Sequence, residues 1–110
     1  TTPTSEIVAR GMAGLKKILK SGIQLVARDR HAEQAIRTRV GSGRLKADEI
    51  IEAYRTGREF SDSDGKTYIR HKSATGTTVV TDRRNGKIVT VQSDDKPNSR
   101  WKQIANRGQN

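Results

Sequence analysis

Two histidines, one threonine and one arginine are the side chains whose types could do chemistry on a polyanionic substrate. His31 and His71 carry imidazoles, which titrate near neutral pH and can act as general acid or base. Thr90 and Arg70 could orient a reacting hydroxyl and stabilise charge on a phosphate. These four residues are the candidate catalytic group. Each also has a structural interpretation, because threonine favours strands and a lone histidine is more often structural.

A second group could hold a phosphate backbone without transferring protons. Basic side chains and hydroxyls are the usual partners of phosphate oxygens. We expect this role for Arg39, Lys72, Thr75, Thr81 and Arg83. Thr75 could equally shape a turn, and a run of charges often forms only a solvated surface.

The charge balance indicates a polyanionic partner. The chain has 22 Lys and Arg against 12 Asp and Glu, a net charge of +10 over 110 residues. Nucleic acid is the first expectation, although an anionic membrane surface or an acidic protein would be attracted by the same field. Cysteine is absent and histidine occurs only twice, so the sequence indicates no disulfide, metal or other cofactor. It also lacks a P-loop, a G-x-S-x-G motif and a carboxylate pair suited to glycoside chemistry.

The elements that must position these residues change type near Phe60. Helical spacing of apolar residues predicts an N-terminal helix within 1–25 and a helical region over 30–58. Alternation then predicts a β-sheet over 66–92, followed by a tail over 93–110. We therefore expect a single α+β domain in which N-terminal helices pack on one face of a small twisted antiparallel sheet.

The stretch "TDRRNGKIVTVQS", residues 81–93, predicts a β-hairpin. Its Asn-Gly pair predicts a two-residue type I′ turn, which places Thr81 opposite Thr90. The inner face of this hairpin is then expected to carry Val80, Val89 and Val91. Its outer face is expected to carry Val79, Thr81, Arg83, Ile88, Thr90 and Gln92.

The strand "KTYIRHK" is expected to extend this outer face. If Ile69 points toward the helices, Tyr68, Arg70 and Lys72 join the outer face, and His71 lies on the helix side or at its rim. The outer face is therefore the candidate site. Trp101 could stack on a base there or cover the edge of the core, and we favour the second role.

A resemblance to a toxin family supports this interpretation. The stretch "TTVVTDRRNGKIVTVQSDDKPNSRW" resembles the C-terminal hairpin and tail of the tRNA-cleaving colicins. With "RHAEQAIRTRV" and "DGKTYIRH", residues 30–102 look like the barnase/EndoU/colicin/RelE-type ribonuclease fold of contact-dependent growth inhibition and other polymorphic toxins. Within it, Thr90 and His31 match positions that many members use.

The resemblance implies a metal-independent endoribonuclease, usually acting on tRNA. Such a domain is the C-terminal toxin of a larger secreted or cell-surface protein, acts in the cytoplasm of a target bacterium, and is neutralised by a cognate immunity protein. We expect general acid–base transphosphorylation that leaves a 2′,3′-cyclic phosphate, and an acidic immunity protein. A host-cell protein cofactor could also be required.

Two other classes stay open at this point. A non-catalytic nucleic-acid-binding module would have the same charge, although only 4% of the residues are aromatic, which disfavours a stacking platform. A membrane-acting toxin could use residues 5–20 as an amphipathic helix, but that segment is short and contains glycines. Since no apolar run reaches about 18 residues, we expect no stable membrane insertion.

Overall fold

The computed structural model describes residues 3–27 and 30–104, and it confirms the predicted α+β class. Residues 105–110 of the predicted tail lie outside this range. The helices are α1 (Pro3–Lys20), α2 (His31–Gly41) and α3 (Ala47–Thr56). The strands are β1 (Arg58–Ser61), β2 (Thr67–Lys72), β3 (Thr77–Asp82), β4 (Ile88–Ser93) and β5 (Lys102–Gln103).

The strands form one antiparallel sheet in the order β4-β3-β2-β1-β5. The predicted strands β2, β3 and β4 are confirmed, but the predicted start of the sheet at residue 66 is wrong, because β1 begins at Arg58. Only Phe60 is buried in this four-residue strand, so the sequence shows little alternation of apolar and polar residues. Pairing with β2, rather than a local pattern, makes it a strand.

Glycines bring the first two helices close together. A Cβ atom added to Gly14 of α1 would lie 2.5 Å from Cγ1 of Val40, and one added to Gly41 of α2 would lie 2.6 Å from the carbonyl oxygen of Ile7. Glycine costs helix stability, but here it allows the two backbones to approach. The glycines of α1 are therefore part of its packing surface against α2.

The main core lies between the helices and one face of the sheet, which we call the helix face. Ile18, Ile36 and Ile50 contribute one fully buried side chain from each helix. Across from them lie the sheet residues Val79, Ile88 and Val91. Burying side chains of this size stabilises a domain by about 2 kcal/mol each, which makes this layer the main source of stability.

The register of the β3–β4 hairpin differs from the predicted one. The amide of Asp82 donates to the carbonyl of Lys87 (2.8 Å) and the amide of Gly86 donates to the carbonyl of Asp82 (2.8 Å), so the loop is longer than two residues. Gly86 has a φ of 72°, whereas Asn85 does not have a positive φ, and a type I′ turn requires both. The predicted turn is therefore wrong.

A bulge then shifts the hairpin further. Thr81 pairs with Ile88 and Val80 pairs with Thr90, with a break in register between Val80 and Thr81. Beyond the bulge the pairing differs from the prediction by one residue, which reverses the face of every β3 side chain relative to β4. The predicted inner position of Val80 is wrong, and so are the outer positions of Val79, Thr81 and Ile88, which are buried on the helix face.

Candidate nucleic-acid interface

The face of the sheet opposite the helices, here called the outer face, is built from directly paired residues. In antiparallel sheets, residues directly opposite each other project to the same side. One row runs Phe60, Ile69, Val80, Thr90. The next row runs Arg58, His71, Thr78, Gln92. This face therefore combines apolar, hydroxyl, amide and basic side chains.

Residues 94–103, here called the C-terminal strap, cover the β1–β2 half of the outer face. The chain leaves β4 after Ser93 and pairs again at β5 along β1, so it crosses the width of the sheet. The ring of Trp101 lies 5.6 Å from that of Phe60 and 6.0 Å from that of His71, measured between centroids. Trp101 thus covers outer-face residues, while Thr90 and Gln92 on β4 stay partly exposed.

His71 is buried beneath this strap with only 1% of its surface exposed. Its Nε2 atom lies 2.8 Å from the carbonyl oxygen of Asp94. A carbonyl oxygen only accepts, so Nε2 carries the hydrogen in this bond, and in this tautomer Nδ1 is the nitrogen that can accept one. The predicted position of His71 on the helix side is wrong, because it pairs with Thr78 on the outer face and is buried there by the strap.

Two buried polar atoms on this face have no hydrogen-bond partner within the described part of the chain. They are Nδ1 of His71 and Oγ1 of Thr78, which belong to directly paired residues. Buried polar groups are almost always hydrogen-bonded, and leaving one unpaired costs about 1–3 kcal/mol. This pair is therefore the most unusual polar feature of the outer face.

Thr90 lies on the outer face as predicted, although its partner is Val80 rather than Thr81. It is partly exposed and stands one row from His71 and two strands away. Two strand spacings correspond to about 10 Å, so Thr90 and His71 share a face without being in contact. Among the predicted catalytic residues, only these two lie on the outer face.

Arg70 is not on the outer face, contrary to prediction. Its Nη1 atom donates to the carbonyl of Tyr54 in α3 (2.8 Å), its guanidinium lies 4.6 Å from the ring centroid of Tyr54, and Nε lies 3.8 Å from Glu59 Oε1. Ile69, which was expected to face the helices, lies on the outer face instead. Because successive side chains of a strand point to opposite faces of the sheet, Arg70, the next residue of β2, points toward α3.

Lys72 and Thr81 also lie on the helix face, so their predicted outer positions are wrong. Nζ of Lys72 lies 2.8 Å from Oγ1 of Thr56 and 3.3 Å from Oε1 of Glu52, both on α3. Thr81 is 1% exposed, and its hydroxyl donates to the carbonyl of Tyr68 over 3.4 Å. Both side chains are occupied by contacts within the fold.

His31 and Arg39 are carried by α2, on the helix side of the sheet. His31 is the exposed first residue of α2, and α2 packs against β4, the strand that bears Thr90. Arg39 lies in the last turn of α2 beside an open concavity shared with Ser42 and Arg44. Neither side chain forms a hydrogen bond or ion pair with another predicted site residue in the part of the chain that the structure describes.

The remaining predicted binding residues stabilise turns. Nη1 of Arg83 donates to the carbonyl of Gly65 (2.9 Å), and its guanidinium lies 5.1 Å from the ring centroid of Tyr68. The hydroxyl of Thr75 lies 2.8 Å from that of Thr77. Thr75 therefore shapes the β2–β3 turn, which was the second interpretation of this residue.

Two carboxylates hold the turns at the Arg83 end of the sheet. The backbone amide and the guanidinium of Arg84 donate to Asp82 and lower the pKa of this carboxyl. Partial burial by itself raises the pKa of Asp62, but hydrogen bonds from Thr67, Gly65 and Lys66 outweigh it, so this pKa is also lowered. Both groups are therefore ionised at neutral pH and compensate part of the positive charge there.

Three cations beside the strap were not predicted. Arg58 lies over the ring of Phe60 (5.8 Å to its centroid) and donates to Oε1 of Gln103 (2.8 Å). Arg100 and Lys102 flank Trp101, are exposed, and form no ion pair with any described residue. The sequence signal was the alternation of basic and aromatic residues in "SRWK", which is typical of surfaces that bind single-stranded nucleic acid.

Residues 3–27 and 30–104 contain neither a candidate metal site nor a helix that could span a membrane. No group of three or more His, Cys, Asp or Glu side chains in this range could hold a metal ion. None of the helices described is both long and apolar enough to cross a membrane.

Comparison with known proteins gives no match to a family model, to a curated protein or to a solved structure.

Proposed function

We propose that this chain is an endoribonuclease domain that cleaves tRNA by acid–base transphosphorylation without a metal, and that RNA lies across its outer face. The observation that carries the proposal is the composition of that face. The helices leave it free, its β4 half presents Thr90 and Gln92, and Arg58, Arg100 and Lys102 lie at its other side. The net charge of +10 supports a polyanionic substrate.

The reaction needs three functions from the protein. A base accepts the proton of the 2′-hydroxyl, whose oxygen then attacks the adjacent phosphorus, and an acid returns a proton to the departing 5′-oxygen. Cations stabilise the charge that develops on the phosphate. In this proposal Thr90 hydrogen-bonds the phosphate or the 2′-hydroxyl at the scissile bond. Arg58 lies three strands away, about 14 Å by strand spacing, so it holds another phosphate of the same RNA strand.

Two histidines are the candidates for proton transfer. His31 is exposed and needs no rearrangement to reach solvent, but α2 lies on the helix face, so RNA on the outer face must pass around the edge strand β4 to reach it. His71 lies on the same face as Thr90, but it can meet a substrate only after the C-terminal strap moves. The burial of His71 is also the observation that favours the second candidate function, a nucleic-acid-binding module without catalysis.

We further propose that the domain is delivered as part of a larger secreted or cell-surface protein, acts in the cytoplasm of a target bacterium and is held inactive by an acidic immunity protein. Among the described residues, five cations form ion pairs (Lys17, Arg37, Arg70, Lys72 and Arg84), so most of the described Lys and Arg side chains keep a charge that no carboxylate neutralises and that can attract such a partner. Complementary fields speed the encounter of such pairs.

The test is incubation of the purified chain with total tRNA in EDTA, followed by mapping of the new RNA ends. We expect cleavage products with 2′,3′-cyclic phosphates. Replacing the true base or acid among His31 and His71 by alanine is expected to reduce the rate by about a hundredfold or more, whereas Lys16→Ala on the exposed side of α1 changes it by less than about twofold. Intact tRNA under all conditions, including added cytosolic extract to supply a host cofactor, would contradict the proposal. Binding of tRNA without cleavage would favour the binding module.

A further inference from the structure

The indole of Trp101 occupies a position on the outer face beside Phe60, His71 and Thr78, here called the slot. It leaves buried polar atoms of the slot without a hydrogen bond. It lies against the rings of Phe60 and His71, with centroid distances of 5.6 and 6.0 Å. Two fully buried polar atoms, Nδ1 of His71 and Oγ1 of Thr78, belong to the same patch of this face and lack a partner among the described residues. Indole carries one N–H donor and no acceptor, so it cannot satisfy both atoms.

We propose that this slot is a binding site for an RNA nucleobase and that Trp101 is its built-in occupant in the free protein. A nucleobase has the planar aromatic shape of indole and stacks on the same kind of ring. Its edge also carries adjacent donors and acceptors, so that an amino or imino hydrogen can be donated to Nδ1 of His71 and a carbonyl or ring nitrogen can accept from the hydroxyl of Thr78. The base would therefore satisfy the two atoms that the indole leaves unpaired.

The charges around the slot favour a nucleotide over an uncharged aromatic ligand. Arg100 and Lys102 flank Trp101 in the chain and are exposed, and Arg58 lies over Phe60 at the edge of the slot. None of the three forms an ion pair with a described residue. A base in the slot would leave its phosphates within the field of these cations. This inference rests on the proposed function only in taking RNA as the ligand.

The hydrogen bonds that hold the strap over the slot lie at its two ends. At its start, the carbonyl of Asp94 accepts from His71 Nε2, its amide donates to the carbonyl of Gly76 (2.7 Å), and its carboxylate accepts from Gln92 (3.0 Å). At its end, the two-residue strand β5 pairs with the edge of the sheet, and the amide of Ile104 donates to the carbonyl of Glu59 (3.2 Å). Arg58 adds one hydrogen bond to Gln103. Such a short strand contributes little stability, so the strap can leave the sheet without unfolding the helix-face core. The closed strap blocks the slot. The apparent affinity for RNA is therefore the affinity of the open form multiplied by the fraction of molecules that are open.

Trp101 is the only tryptophan of the chain, so its fluorescence reports on the strap alone. The experiment titrates the unmodified protein with a single-stranded 2′-deoxy oligonucleotide, which lacks the attacking hydroxyl and cannot be cleaved by transphosphorylation. A matched oligonucleotide of equal length and charge, with abasic sites throughout, is the control. We expect a red shift of the tryptophan emission with the base-containing oligonucleotide only, because the base displaces the indole into water. Anisotropy of a labelled end verifies that both oligonucleotides bind.

Two variants extend the test. Trp101→Ala is expected to bind the base-containing oligonucleotide about tenfold more tightly, the factor by which two aromatic contacts of ordinary strength favour the closed strap. Trp101→Phe, the matched control, keeps an aromatic occupant and stays within about threefold of the unmodified protein. If Trp101→Ala does not fold, the emission measurement on the unmodified protein decides alone.

The outcomes separate this inference from the nuclease proposal. Emission unchanged at saturation, or shifted equally by the abasic control, overturns the nucleobase slot even if tRNA is cleaved. Base-dependent displacement of Trp101 without cleavage of tRNA supports the slot and overturns the nuclease. Failure of both oligonucleotides to bind at all overturns the slot as well.

Discussion

Replacing Arg70 by alanine distinguishes a structural arginine from a catalytic one. Arg70 sits beside His71 in the sequence, where its charge suggests a role on the phosphate, but the structure directs it toward α3. We expect Arg70→Ala to destabilise the fold, because the carbonyl of Tyr54 loses its donor and the Tyr54 ring loses the cation above it.

The expected loss in the free energy of unfolding follows from three contacts of Arg70. A hydrogen bond with a charged donor contributes about 2 kcal/mol, and part of its loss is the cost of an unpaired carbonyl. The cation–π contact adds about 0.5–1 kcal/mol, and the Glu59 pair adds at most about 0.5 kcal/mol because both side chains are partly exposed (24% and 34%). We expect a loss of about 3 kcal/mol in the free energy of unfolding, which lowers the melting temperature of a domain of this size by about 12 °C.

The assay is urea unfolding followed by circular dichroism, with Arg44→Ala as the matched control. Arg44 is exposed, and its side chain forms no hydrogen bond or ion pair among the described residues, so its loss should change the free energy by less than about 0.5 kcal/mol. RNA cleavage is measured for both variants at a temperature where they are folded. An Arg70→Ala protein of unchanged stability that has lost cleavage would refute the structural role.

Three further predictions concern packing, placement and pH. Gly14→Ala is expected to destabilise the protein by about 2 kcal/mol despite the higher helix propensity of alanine, since the new Cβ would meet Val40; thermal unfolding measures this. Thr81→Val is expected to change the free energy of unfolding by less than about 1 kcal/mol and to leave RNA cleavage unchanged, because its hydroxyl makes only a long bond to the carbonyl of Tyr68. Asp62→Asn is expected to lower stability at neutral pH. Because the folded pKa of Asp62 is lowered, its contribution is present above the ordinary value of 3.8 and is lost as the pH falls through the folded pKa, so the two melting curves should converge in acid.

Each of these has a clear contrary result. A Gly14→Ala protein at least as stable as the unmodified one would mean that α1 and α2 do not pack at this distance. Cleavage lost in Thr81→Val at unchanged stability would return this hydroxyl to the active site. A constant difference in melting temperature between Asp62→Asn and the unmodified protein from neutral pH into strong acid would exclude the proposed role of this carboxylate.

Local sequence patterns predicted the elements better than the way in which they pair. The N-terminal helix, the helical region over 30–58 and strands β2 to β4 follow from apolar periodicity and turn residues, and each is confirmed, the helical region as α2 and α3. Strand β1 could not be predicted, since four residues with one buried phenylalanine carry almost no periodicity. The hairpin between Thr77 and Ser93 was predicted, but its loop conformation and its bulge at Val80 and Thr81 were not.

That single bulge explains the errors on β3. Beyond it, β4 keeps the predicted orientation, so Thr90 and Gln92 lie on the outer face. On β3 the orientation is reversed, which buries Thr81 on the helix face. The error on β2 has its own origin, because that prediction assumed that Ile69 faces the helices. Ile69 lies on the outer face instead, and Arg70 and Lys72 turn toward α3.

By itself, the sequence determined that the chain is a basic α+β domain with its helices first, because composition and periodicity are properties of residues near one another in the chain. The tertiary structure decided which face each strand presents, since register depends on a loop conformation and on which side chains fill the core. It also decided that His71 is closed off by Trp101, thirty positions later in the chain. No local pattern could show that contact, because it exists only once the strap has crossed the folded sheet.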